Sequence, residues 1–177
     1  MNKLNKERLI TVTAMILGAA AARLLPHPPG VAPITAMAVF GGMHYRHGWA
    51  AYALPLGAMF LSDCFLGFHA LMPVVYGSFA LIVAIAASQK KPTLLRASLT
   101  TVCGSVLFYL TTNFAMWVIS DVYPKTPEGL LMCYVMGLPF LRNGLLGDLA
   151  YCGLLFGVFA LLEQRYPKLR EAAPATV

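Results

Sequence analysis

LLRASLTTVCGSVLFYLTTNFAMWVI, the run from Leu94 to Ile119, carries Arg96 as its single charged residue. A hydrocarbon core about 30 Å thick needs roughly 20 helical residues per crossing, so this run reads as a membrane span. Composition extends the argument to the whole chain. Of its 177 residues 59% are hydrophobic and 11% charged, whereas a soluble domain carries roughly 25% charged residues. Mean hydropathy is +0.70. The expected class is all-α, a polytopic membrane helical bundle of about six transmembrane helices, with residues 1–177 forming a single integral membrane domain.

Working outward, further apolar blocks run from Leu9 to Leu25, Ala32 to Met43, Trp49 to Ser62 and Met72 to Ser88. Pro26, Pro28 and Pro29 close the first block, which reads as a retained helix because no small-residue cleavage site follows it. The last stretch, Gly129 to Leu162, is too long for one simple crossing. It divides into a short or re-entrant piece, Gly129–Leu141, and a full crossing, Leu145–Leu162, joined at Arg142, Asn143 and Gly144.

Basic residues set the orientation, because they are retained on the cytoplasmic side during insertion. Lys3, Lys6 and Arg8 place residues 1–8 inside. Arg46, the group Lys90, Lys91 and Arg96, and the tail 163–177 with Arg165, Lys168 and Arg170 then fall inside as well. Both termini are therefore expected in the cytoplasm, and topology accounts for the net charge of +6 without a nucleic-acid partner. Cys64, Cys103, Cys133 and Cys152 form no CxxC pair, so no zinc-ribbon or redox motif is present.

In a bilayer, polar residues inside apolar blocks need partners, and function is sought there. Ala14, Gly18 and Ala22 recur every four residues, a stripe for packing within the bundle or for docking a partner. Arg23, just beyond the stripe, has the ordinary reading of a cation snorkelling to the interface. SDCFLGFH, Ser62–His69, places Asp63, Cys64 and His69 in one outer loop. Cys64 and His69 are soft ligands for a transition metal, while the plainer reading makes Asp63 a helix cap, Cys64 filler and His69 an interfacial tip. Asn113 lies one turn before Trp117 and must bond another helix or a ligand, whereas Trp117 and Tyr123 also suit an interfacial aromatic belt. Thr126 is expected to cap the helix that follows. Arg142 and Asp148 are six residues apart and do not share a helical face, so each is expected to pair elsewhere or across the joint. Functional and structural ion-pair readings both account for them. No GxSxG, HExxH, P-loop or dinucleotide motif occurs, and the chain is not expected to be an enzyme.

PHPPGVAPITAMAVFGG (Pro26–Gly42), YGSF (Tyr76–Phe79), TNFAMW (Thr112–Trp117), YPKTPEGL (Tyr123–Leu130) and PFLRN (Pro139–Asn143) resemble a bacterial membrane family of unknown function. More coarsely, the chain resembles the S components of energy-coupling-factor vitamin transporters. That resemblance implies six helices in the bacterial inner membrane, an outward pocket for a small-molecule ligand, and a coupling transmembrane subunit with ATPases that meets the Ala14, Gly18 and Ala22 stripe. In a solitary cobalamin branch, a cysteine in the loop after the third helix ligates cobalt, and Cys64 sits in the corresponding place. The resemblance thus implies vitamin uptake with cobalamin as the leading ligand and no intrinsic cofactor. The expected pocket residues are Asp63, Cys64, His69, Tyr76, Asn113, Trp117, Tyr123, Tyr134, Arg142, Asn143 and Asp148. The first alternative is a structural or assembly protein whose Asp63, Asn113, Arg142 and Asp148 pair with one another and leave no outward cavity; the second is an intramembrane enzyme, which needs a nucleophile and a base within hydrogen-bond reach, about 3 Å.

Overall fold

The computed structural model describes residues 6–26, 30–45, 48–89 and 92–170. Six helices follow in order: α1 (Lys6–Ala22), α2 (Ile34–Tyr45), α3 (Ala50–Leu66), α4 (Met72–Ala87), α5 (Leu94–Ile119) and α6 (Pro127–Arg165), and then a short 3-10 turn, Pro167–Leu169. No strand occurs among the described residues. Lys3, Pro28, Pro29, Arg46, Lys90 and Lys91, which entered the orientation and boundary arguments, lie outside the described residues.

The short α2 occupies the centre. Every side chain from Thr35 to Tyr45 is buried, and α1, α3, α4, α5 and α6 all pack around it. Twelve residues rise only about 18 Å, well short of a bilayer's hydrocarbon thickness. Small residues let the neighbours approach it closely. A Cβ on Gly42 would stand 2.7 Å from the Ala86 Cβ and 2.8 Å from the Val83 carbonyl oxygen, so α4 lies directly on its backbone. Between these contacts Phe40 packs edge-on against Phe156 and Phe159, at ring separations of 5.1 and 5.7 Å.

The final stretch differs from expectation. It is one continuous helix of 39 residues, about 58 Å long at the standard rise. Pro139 is held inside it, and Arg142–Gly144 form no joint. Gly144 instead admits a neighbouring segment, because a Cβ there would stand 3.3 Å from the Gly30 carbonyl oxygen. Thr126 caps this helix as expected, its hydroxyl accepting from the Gly129 N–H at 3.2 Å. Thr93 caps α5 in the same way through the Arg96 N–H.

Helices α5 and α6 are each long and apolar enough to cross a membrane, and α3 and α4 are shorter apolar helices. Their outward side chains are largely apolar, including Leu99, Leu110, Phe114, Leu131, Leu138 and Leu154. At one end of the bundle Arg8 is buried, ion-paired with Glu163 at 2.5 Å, and donates to the Leu169 carbonyl at 2.8 Å. Its guanidinium also covers the Phe159 ring. The start of α1 and the end of α6 are thereby fastened together, a packing role beyond the topological one read from sequence.

The central position of α2 predicts that Gly42→Ala lowers thermal stability in detergent by about 1–3 kcal/mol through overpacking. At Gly18 an added Cβ meets nothing within 4 Å, so Gly18→Ala should be neutral or gain up to about 1 kcal/mol of helix propensity. Equal melting temperatures for the two variants would contradict the packing described.

Candidate functional site

A cavity of about 290 Å³ opens between the start of α2 and the facing sides of α4, α5 and α6. The segment before α2 supplies one wall through Gly30 and Ala32. Gly30 has φ +85°, and a Cβ there would meet the Phe140 carbonyl oxygen at 3.0 Å, so this wall is seated on α6 in a backbone conformation that suits glycine. Phe79, Phe108, Phe140, Leu141 and Ile34 make the lining mainly apolar. The Phe79 and Phe108 rings stack at 4.9 Å, joining α4 to α5.

Asp148 is the charged residue of the lining. It is buried, with Oδ2 accepting from the Ser105 hydroxyl at 2.7 Å. That hydroxyl also lies 3.0 Å from the Thr101 carbonyl, and its one proton serves one acceptor at a time. Oδ1 is buried and forms no hydrogen bond among the described residues. The carboxylate sits beside the Thr35 hydroxyl and the Thr35 and Ala36 N–H groups, in the first turn of α2. A helix N-terminus carries partial positive charge and unsatisfied N–H donors, so this placement partly compensates the buried anion.

Tyr109, Thr112 and Asn113 of α5 add polar groups to the lining. Asn113 is satisfied locally, its Nδ2 donating to the Tyr109 carbonyl at 2.8 Å. A Cβ on Gly137 would fall 2.5 Å from the Asn113 Oδ1, so glycine at that point of α6 leaves the amide its room. The Tyr109 hydroxyl donates to the Tyr134 carbonyl at 2.5 Å and the Tyr134 hydroxyl to the Leu110 carbonyl at 3.0 Å. These two tyrosines clamp α5 to α6.

Of the residues expected to form a pocket, the cavity brings together Asn113 and Asp148, with Asn143 beside Gly30 in its wall. Asp63 belongs to a different network. Its Oδ1 is 2.9 Å from the Arg23 Nη2 and its Oδ2 accepts from the Tyr76 hydroxyl at 2.7 Å. Arg23 also donates to the Ser62 hydroxyl and, at 3.2 Å, to the Met59 carbonyl. Arg23 therefore does not snorkel, and Asp63 caps no helix: Leu71 occupies the α4 N-cap, without a side-chain bond. Asp63 and Tyr76 join α1, α3 and α4 instead.

Cys64 is an exposed thiol, His69 is exposed in the loop before α4, and neither lines the cavity. No group of three metal-binding side chains occurs among the described residues. Trp117 donates to the Pro124 carbonyl at 2.8 Å, under the Lys125 ammonium. It sits in the last turn of α5 and packs on the α5–α6 turn that carries half-buried Tyr123. Arg142 is exposed on α6 and does not meet Asp148, which is bonded to Ser105. Ala14 and Gly18 are exposed and Ala22 half-buried. Gly18 and Ala22 border a shallow groove between α1 and α6, so the stripe does not serve close packing inside the bundle.

Sequence reasoning missed Ser105, Thr35, Tyr109 and the three phenylalanines. A signal was present for part of this set. Thr101, Ser105 and Tyr109 recur every four residues along α5, a polar stripe on one helical face.

The Arg23–Asp63 pair predicts that Arg23→Ala, which leaves a buried carboxylate without its counter-charge, lowers stability by about 3–5 kcal/mol. Replacing both by leucine should recover most of that loss in thermal unfolding. A single Arg23→Ala as stable as the wild type would show that the pair is not structural.

No curated protein and no solved structure matches the chain. A family model described as a family of unknown function (DUF6580) matches residues 3–169, and the chain belongs to that family.

Proposed function

We propose that this protein is a membrane-embedded small-molecule binding protein that serves uptake, with six crossings in the bacterial inner membrane and both termini cytoplasmic. The observation that carries the reading is the cavity itself, apolar in its walls and holding one buried carboxylate that has no ion pair among the described residues. Ligand sites have this composition, mostly apolar lining with a few placed polar groups. In the proposed topology the cavity lies in the outer half of the membrane, beneath the segment that leads into α2. The apolar outer surfaces of α5 and α6 face lipid.

The volume, about 290 Å³, falls at the lower bound of ligand pockets, which span roughly 300–1,000 Å³. It suits a compact ligand and not a corrinoid, and Cys64 lies outside the lining. We therefore set aside cobalamin as the leading ligand. A coupling subunit with ATPases remains the proposed source of energy, since no nucleotide motif occurs in this chain. A purely structural role explains the Arg23–Asp63–Tyr76 network but gives no reason for a cavity bordered by Asp148.

The test is to purify the full chain from a bacterial membrane in mild detergent and identify small molecules released on denaturation by mass spectrometry. A compact compound should be enriched with the wild type and lost with Thr112→Trp, which fills the cavity. Identical extracts, with no compound raising the melting temperature of the wild type, would overturn the reading.

A further inference from the structure

The charge of the lining points further than its volume. Asp148 lies in a cavity whose described lining contains no lysine, arginine or histidine. Dipoles compensate a buried carboxylate only in part, and a cation beside it completes the compensation. Its protein partners are partial charges only, the Ser105 hydroxyl and the first turn of α2. Resting on the binding reading above, we propose that the cavity selects a small organic cation, an ammonium or amidinium head on a flat apolar body. The head meets the Asp148 carboxylate, and the body lies among Phe79, Phe108 and Phe140.

Two features fit this class, and two other ligand classes fit poorly. The buried Oδ1 forms no close hydrogen bond among the described residues, its neighbours in the first turn of α2 supply only dipoles, and an ammonium adds the full charge those dipoles lack in a charge-assisted bond. Phenylalanine faces also attract a cation close to them. An inorganic ion needs several oxygen ligands, whereas most of this lining is hydrocarbon and offers one carboxylate. An anionic ligand meets like charge in a site with little water to screen it.

The experiment titrates the full-length wild type in detergent at neutral pH with benzylammonium, benzyl alcohol and phenylacetate, three probes with one ring and different charge, followed by calorimetry. Benzylammonium should bind at least about tenfold more tightly than benzyl alcohol, as a charge-assisted bond does, and phenylacetate should not bind. Asp148→Asn should retain benzyl alcohol and lose the preference for the amine. Equal binding of all three probes by the wild type would overturn the cation inference and leave the cavity reading standing. Binding of none, together with the absence of any co-purified compound, would overturn both. The wild-type series decides the matter by itself if Asp148→Asn fails to fold.

Discussion

A helix too short for its surroundings governs this structure. Helix α2 is buried from Thr35 to Tyr45, and it begins beside the cavity, at half-buried Ile34. Its first-turn N–H groups include those of Thr35 and Ala36 beside the cavity, and such donors need compensation. The Met37 N–H is met by the Pro33 carbonyl at 2.9 Å, and Asp148 brings a negative charge to the Thr35 and Ala36 N–H groups. The space above the start of α2 is the cavity. One constraint therefore produces both the void and the charged group within it.

The surrounding elements hold that arrangement open. Phe79 stacked on Phe108 spaces α4 from α5, while Tyr109 and Tyr134 fasten α5 to α6. Gly30 sits close on α6 and closes one wall. Away from the cavity, two ion pairs secure the helices: Arg23 with Asp63 between α1 and α3, and Arg8 with Glu163 between α1 and α6. Charges that the bundle uses for stability are thus satisfied within the protein. Asp148 has hydroxyl and backbone neighbours but no ion pair among the described residues, which sets it apart as the proposed recognition group.

Much of this was legible in the chain. The apolar blocks place all six helices, and the brevity of the second block reflects its central position. The continuity of α6 was not legible, because Pro139, Asn143 and Gly144 are helix-breaking by local chemistry, while Gly30 packs on Phe140, Asn143 and Gly144 within the unbroken helix. Asp148 and Asn113 stood out as polar residues in apolar runs and do line the cavity. Asp63 stood out as part of an outer-loop set with Cys64 and His69, yet its partner Arg23 lies forty residues earlier, and no local pattern reveals that contact. Ser105 went unnoticed because a lone hydroxyl in a membrane helix is ordinary until the acid opposite it is known.

The central claim is that the Asp148 carboxylate faces a ligand. The chain contains three aspartates, Asp63, Asp121 and Asp148, so carbon-13 labelling of aspartate carboxyls gives a spectrum simple enough to assign with Asp148→Asn. Addition of benzylammonium to the wild type should move the Asp148 resonance and leave Asp63 and Asp121 in place. Saturable binding of the amine with the Asp148 signal unmoved would contradict the account.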